Sequence, residues 1–166
     1  MTNQRGKEGQ ELLTKLRQTQ ELQDVLKNAI ETAKTLGHAF VNTDDLLVAL
    51  TNAKERYSTE ILQNLGVKPE QIVRLTDDHR IIKIGSKLTA PPQLALRSEF
   101  AMRWAEEEAR SIGDLVVGPE HLLLGLLKEQ GRAAFVLEKT GVTLIRARHQ
   151  LRVVTNTRMG VISGSL

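Results

Sequence analysis

The stretch G-D-L-V-V-G-P-E-H-L-L-L-G-L-L, residues 113–127, decides the fold of this chain. Gly113 is typical of a helix end, because glycine readily adopts the left-handed conformation found just after a C-cap. Pro119 is suited to begin the next helix, since its φ is already helical and its missing N–H would be unpaired there. Glu120 follows in the first turn, where the helix dipole favours a carboxylate. One apolar helix face then follows, made of Leu122, Leu123, Leu126 and Leu127.

The same design occurs earlier as G-H-A-F-V-N-T-D-D-L-L-V-A-L, residues 37–50. Superposing the two halves places Gly37 on Gly113 and Leu46 on Leu122, at a spacing of about 76 residues. A later pair, I-L…G-V and V-L…G-V, follows after a one-residue slip. We interpret the chain as a tandem duplication of a four-helix unit, whose two copies bury each other's apolar faces.

The sequence therefore predicts an all-α fold of about eight helices with pseudo-twofold symmetry. Repeat one is expected over 19–76, a linker with β-like character over 77–90, and repeat two over 91–153. A polar, disordered extension is predicted for 1–18 and a flexible tail for 154–166. Within the repeats we expect Thr19 and Thr43 to be N-caps, a third helix to start at Ser58 or Thr59, and residues 91–92, both proline, to begin the first helix of repeat two.

The composition of the 166 residues narrows the function classes. Hydrophobic residues make up 40% of the chain and aromatic residues only 3%, so aliphatic side chains must fill the core. The absence of cysteine excludes disulfides, thiolate metal sites and a cysteine nucleophile. No apolar run approaches the roughly 20 residues of a membrane span, and the N-terminus lacks the apolar segment of a secretory signal.

The net charge of +3 arises from 23 cations and 20 anions that are interspersed along the chain. The one local excess of positive charge comprises Arg146, Arg148, His149, Arg152 and Arg158. We interpret this excess as a solvated helix face, and a phosphate-contacting patch for nucleic acid is the alternative.

Catalytic signatures are missing from the sequence. It contains no G-x-x-x-x-G-K-[ST] phosphate loop, no G-x-S-x-G elbow and no H-E-x-x-H zinc motif. Glu120 and His121 are the only adjacent acid and imidazole, but neighbouring helical positions point about 100° apart. We therefore expect no catalytic residue, no metal site and no cofactor, with His121 packed and hydrogen-bonded beneath the loop.

The start of the second helix in each repeat is the more informative feature. Exposed N–H groups at a helix N-terminus bind anions, and Asp44 or Glu120 beside them offers a carboxylate suited to a guanidinium. A ligand that carries both phosphate and guanidinium would use both groups. The alternative is that the two acids only cap their helices.

These residues resemble the double-repeat N-terminal domain of ClpC/ClpA-type AAA+ unfoldases. The family pattern A-x-x-x-A-x-x-x-G-H-x-x-[IV]-G-T-E-H-[IL]-L-L-G-L is matched by the segments 29–47 and 105–126, and the resemblance covers roughly 19–153. It implies an all-α module that docks substrates and adaptor proteins, here without the ATPase modules, in a bacterial cytoplasm or, alternatively, a plastid stroma. Protein partners are therefore expected. The composition indicates no membrane association, and nucleic acid stays the lesser alternative for the basic excess near the C-terminus.

Some domains of this family bind phosphoarginine, which implies a second possible function as a ligand-binding regulator. Carried over by position, one such site would comprise Thr19 and Asp44, with Thr43 beside them, and the other Ala95 and Glu120. The second site departs from the family pattern, because Ala95 replaces a threonine and Pro119 replaces the threonine of G-T-E-H.

Overall fold

The computed structural model describes residues 16–54, 56–77 and 88–163, and this part of the chain contains eight helices and four two-residue strands. The helices are α1 (Gln20–Thr35), α2 (Thr43–Asn52), α3 (Arg56–Asn64), α4 (Pro69–Asp77), α5 (Leu96–Ser111), α6 (Pro119–Glu129), α7 (Arg132–Lys139) and α8 (Leu144–Ser163). The strands are β1 (Arg17–Gln18), β2 (Phe40–Val41), β3 (Gln93–Leu94) and β4 (Val116–Val117). The all-α, eight-helix prediction is confirmed. None of the described helices is long and apolar enough to cross a membrane.

The two halves repeat the same order of elements. Helices α5, α6 and α7 each begin 76 residues after α1, α2 and α3, and α8 begins 75 residues after α4. Gly37 and Gly113 end the first helix of their repeats with φ values of 73° and 83°. In both places the following amide donates to a buried alanine carbonyl five residues back, at 2.8 Å and 2.9 Å. The predicted duplication is therefore visible in backbone geometry.

The strands join the two repeats crosswise, which the sequence did not predict. Strand β1 pairs in parallel with β4, and β2 pairs in parallel with β3. The prediction that residues 91–92 begin a helix is wrong, because β3 lies in between and α5 begins only at Leu96. The amide of Ala95 donates to the carbonyl of Val41 at 3.0 Å, and this bond holds the segment extended up to the N-cap.

Other predicted helix boundaries also shift. Asn42, rather than Thr43, is the N-cap of α2, because its amide donates to the carboxylate of Asp45 at 2.8 Å. Helix α3 begins at Arg56, two residues before the expected Ser58. Helix α8 continues to Ser163, where a flexible tail was expected from residue 154. Most of the predicted N-terminal extension and linker, residues 1–15 and 78–87, lies outside the described residues.

The core is aliphatic and continuous across both repeats. Helices α2 and α6 contribute six of its fully buried leucines, Leu46, Leu47, Leu50, Leu122, Leu123 and Leu126. Gly125 allows α5 and α6 to approach closely, since a Cβ at this position would lie 2.2 Å from the carbonyl oxygen of Ala101. The two central helices are thus fixed against their neighbours, and their N-termini are held at the loops that the strands join.

Candidate functional site at two helix N-termini

The predicted site residues lie at the N-termini of α1, α2 and α6. Thr43 and Asp44 are 5% and 7% exposed at the first two positions of α2, and Glu120 is partly buried at the second position of α6. Each acid therefore lies where the helix dipole stabilises negative charge. Low exposure strengthens any charge interaction that the carboxylates make.

Asp44 forms an ion pair with an arginine from the other repeat. The Nε of Arg132, the first residue of α7, lies 3.0 Å from Oδ2 of Asp44. The side chain of Asp44 is 10% exposed and that of Arg132 is 57% exposed, so the arginine covers the acid from the solvent side. The carboxylate of Asp44 thus binds a guanidinium, as its chemistry predicts, but this guanidinium belongs to Arg132 of the same chain. An external guanidinium would have to displace Arg132.

The threonine predicted to complete the first site belongs to a different loop. The hydroxyl of Thr19 accepts the amide of Leu22 at 3.2 Å and caps α1, which confirms its N-cap role. The amide of Thr19 donates to the carbonyl of Val117 at 2.9 Å, three residues before Glu120. Helix α1, with 16 residues, separates Thr19 from the loop of Asp44 along the chain. The structure therefore favours grouping Thr19 with Glu120 and Ala95 with Asp44.

His121 closes the loop before α6 as a buried, neutral residue. Its Nδ1 accepts the amide of Gly118 at 3.0 Å, which requires Nδ1 to carry no proton. Its Nε2 lies 3.0 Å from Oδ2 of Asp114, so the ring proton belongs on Nε2. Burial lowers the pKa of His121 from its ordinary value of 6.5, and the attraction of Asp114 opposes this effect only in part. The prediction of a packed, hydrogen-bonded histidine is borne out by these contacts.

Repeat one has the same pair of residue types in exchanged positions. Asp45, the equivalent of His121, accepts the amide of Asn42, and Nδ1 of His38 lies 3.8 Å from Oδ2 of Asp45. His38 in turn occupies the position of Asp114. At these two equivalent positions, each loop thus has one imidazole and one carboxylate, but the group that caps the helix is an acid in repeat one and an imidazole in repeat two.

The acid–imidazole cluster of repeat two does not suit a metal ion. Ligand atoms of Asp114, Glu120 and His121 all lie within 4.8 Å of one another. However, the only lone pair of the neutral imidazole is on Nδ1, and it accepts the amide of Gly118. Nε2 carries the proton and faces a carboxylate, so neither ring nitrogen can donate to a cation without breaking the cap.

The basic cluster predicted near the C-terminus is divided among structural contacts. Arg148 binds Glu108 through two hydrogen bonds of 2.9 Å and 2.5 Å. Arg146 donates to the carbonyl of Gly141 at 2.5 Å, at the end of α7. His149 and Arg152 are exposed on α8. Two of the clustered arginines are therefore engaged within the protein, which favours the helix-face interpretation over a phosphate-binding patch.

Two interacting residues had no signal in the sequence. Arg132 is a single exposed arginine that follows a glycine, and its partner lies in the other repeat. Glu108 is the last member of the run Glu106–Glu108 and resembles a solvated acid, yet it is 2% exposed. It pairs with Arg148 and with Lys128, whose Nζ lies 3.4 Å away. Both pairings depend on how the helices pack, and the sequence carries no local signal for them.

Solved structures place this arrangement in a known class, the all-α double-repeat N-terminal domains of Clp and Hsp104 chaperones. The N-terminal domain of Hsp104 from Candida albicans superposes with a TM-score of 0.68 at 18% identity, over 84% of this chain and 91% of that one. The N-terminal domain of ClpD from Arabidopsis thaliana superposes with a TM-score of 0.65 at 18% identity, over 84% and 95%. At this level of identity, the similarity defines the fold.

Sequence comparison defines the family. Residues 17–140 and 93–164 match the family described as Clp repeat (R) N-terminal domain, and the chain belongs to this family. It is 35% identical over 134 residues to the chaperone protein ClpB of Oceanobacillus iheyensis and to the negative regulator of genetic competence ClpC/MecB of Bacillus subtilis. It is 34% identical over 129 residues to the chloroplastic chaperone ClpC of Pisum sativum. These alignments cover 76–80% of this chain but only 14–16% of the relatives.

Proposed function

We propose that this chain is a non-catalytic interaction module of the Clp chaperone–protease system that docks substrates, adaptor proteins or other Clp subunits. The family to which it belongs supports this role, as does the lack of phosphate-loop and nucleophile motifs in its 166 residues. The specific observation behind the proposal is a pair of equivalent exposed apolar side chains, one in each repeat.

Phe40 and Val116 are 55% and 38% exposed, and they occupy equivalent positions in β2 and β4. Each lies four residues before the acid at the start of the following helix, Asp44 or Glu120. An apolar contact bordered by charged groups is the usual composition of a protein–protein interface. Because the arrangement occurs twice, a partner with two similar segments could engage both loops, and a partner with one segment could use either.

A quantitative affinity capture from lysate of the source organism tests this function. We expect the wild-type chain to recover a Clp ATPase, a protease subunit or an adaptor, and the double variant Phe40→Ser/Val116→Ser to recover several-fold less. Ile145→Ser is the matched control, because Ile145 is 79% exposed but lies on α8. Circular dichroism must first show that all three proteins are equally helical.

A second double variant, Asp44→Ala/Glu120→Ala, examines the acids separately from the apolar residues. A loss of capture in both double variants would assign the contact to the two loops as a whole. Equal recovery by the wild type and both double variants would move the contact elsewhere on the molecule. Recovery of no Clp component by the wild-type chain would refute the proposed function.

A further inference from the structure

We infer that the loop before α6 opens when His121 gains a proton, and we call this loop the latch. Nδ1 of His121 accepts the amide of Gly118 when the ring is neutral and donates to the carboxylate of Glu120 when the ring is protonated. The equivalent loop of repeat one stays closed. The inference rests on the geometry of the two loops and holds whichever partner the protein binds. It concerns residues 113–121, which contain a buried imidazole, two carboxylates and the N-terminus of a central helix.

In the neutral state, the imidazole holds the loop in place. Nδ1 of His121 accepts the amide of Gly118, and the ring is 1% exposed. The adjacent residue, Val117, accepts the amide of Thr19, so the same loop also carries the pairing of β4 with β1. A change at Gly118 would therefore be transmitted to the contact between the two repeats.

Protonation removes this acceptor, because an imidazolium donates from both nitrogens. A second partner for the new proton lies close by, since Oε1 of Glu120 is 3.6 Å from Nδ1. Nε2 can keep its contact with Asp114 in both states. The imidazole thus has two alternative partners at Nδ1, one for each protonation state, and the second of them is a candidate site residue.

Three carboxyl groups surround the imidazole of His121. Asp114 faces it from the loop, Glu120 from its own helix and Glu108 from α5. Arg148 binds Glu108 and keeps the pKa of that carboxyl below its ordinary value.

Repeat one provides an internal comparison, because its loop is closed by a carboxylate. Asp45 accepts the amide of Asn42 at 2.8 Å and is 1% exposed. The capping position of repeat one therefore holds no imidazole, the group that changes from acceptor to donor when it gains a proton. The two pseudo-equivalent loops should therefore respond differently to mild acid.

Amide hydrogen exchange followed by NMR on the full chain tests the latch. Between pH 7.5 and 5.5, after correction for intrinsic exchange, we expect protection of the Gly118 amide to fall while that of Asn42 is retained. Because burial lowers the pKa of His121 in the closed loop, the open fraction should rise up to about tenfold for each pH unit below 6.5, the ordinary pKa of an imidazole, until the buried ring is itself protonated. The variant His121→Gln should abolish the response, because a glutamine at the third helical position caps without titrating.

Two further variants make the result specific. In the exchange variant Asp114→His/His121→Asp, which recreates the pair of repeat one, the Gly118 amide should stay protected at pH 5.5. In His149→Gln, which removes an exposed histidine of α8, the response should remain. Unchanged protection of Gly118 in the wild type, equal loss at Gly118 and Asn42, or a persisting response in His121→Gln would each overturn the inference.

Discussion

The substitution Gly125→Ala offers the sharpest test of how α5 and α6 pack against each other. A Cβ at position 125 would lie 2.2 Å from the carbonyl oxygen of Ala101, 2.8 Å from the amide nitrogen of Ala105 and 3.1 Å from the Cβ of Ala105. The two nearest of these atoms are backbone, so no rotamer change can relieve the contact. An ordinary contact begins near 3.4 Å, and α5 and α6 would have to separate by roughly 1 Å.

The expected change in the free energy of unfolding follows from two opposing effects. Alanine gains about 1 kcal/mol over glycine in a helix interior. Overpacking a tight interface costs about 1–3 kcal/mol, and a gap of 0.5–1 Å forfeits a quarter to a half of each affected dispersion contact. With two backbone atoms in contact, the upper part of this range applies, so we expect a net loss of about 1–2 kcal/mol. For a chain of this size, the melting temperature should fall by roughly 2–8 °C.

Thermal unfolding followed by circular dichroism and by the fluorescence of Trp104 measures this loss. Trp104 lies on α5, and Nζ of Lys128 on α6 lies 4.2 Å from the centroid of its ring. The fluorescence of Trp104 therefore reports on the same pair of helices. Ala49→Gly is the matched control, because position 49 is the equivalent in α2 and holds a buried alanine. It should lose about 1 kcal/mol through helix propensity and about 0.8 kcal/mol through the loss of a buried methyl group, without any steric overlap. The added variant Ala101→Gly should not rescue Gly125→Ala, since the nearest contact is a carbonyl. An unchanged or raised melting temperature for Gly125→Ala would refute the packing argument.

Three further substitutions test the charge network and the helix caps. Glu108→Gln should cost about 1–2 kcal/mol in denaturant unfolding, because it weakens charge-assisted bonds to Arg148 that are partly exposed. Arg148 lowers the pKa of Glu108 below 4.5, so the ion pair stabilises the fold fully above pH 4.5 and less as the pH falls further. This loss of stability in acid should be absent from Glu108→Gln. Thr19→Ala should cost about 1 kcal/mol, because it removes the hydroxyl that caps α1. Ala95→Thr should gain about 0.5–1 kcal/mol, because it supplies a cap at the equivalent position of α5, and an unchanged melting temperature would contradict this.

The parts of the fold that the sequence predicts are those with a local signal. The spacing of leucines and the glycines at helix ends defined most of the helices, and the repeated offset defined the symmetry. The strands escaped notice because each has two residues, too few to show alternation, and because their partners lie in the opposite repeat. Asn42 was not predicted as the cap for a different reason: Thr43 is also a residue type that caps helices, and the contact of Asp45 with the Asn42 amide identifies Asn42 as the cap.

The sequence predicted the acids of the candidate site but not the residues that contact them. Asp44 and Glu120 lie at helix N-termini, where their residue type and position are informative. The pairing of Asp44 with Arg132 joins residues far apart in the chain and depends on how the repeats dock. The grouping of Thr19 with the Glu120 loop likewise follows from the crossed strands, which no spacing in the sequence encodes.

The crossed strands also bear on how such a chain could arise. A single repeat presents one strand before its first helix and one before its second, and in this protein neither pairs within its own repeat. A lone copy could satisfy both strands only by meeting an identical copy across a twofold axis. The geometry is therefore that of a homodimer whose subunits share one polypeptide. Once the subunits are joined, each half can change independently, and the exchange of histidine and aspartate between the two loops is a change that a true homodimer could not have made.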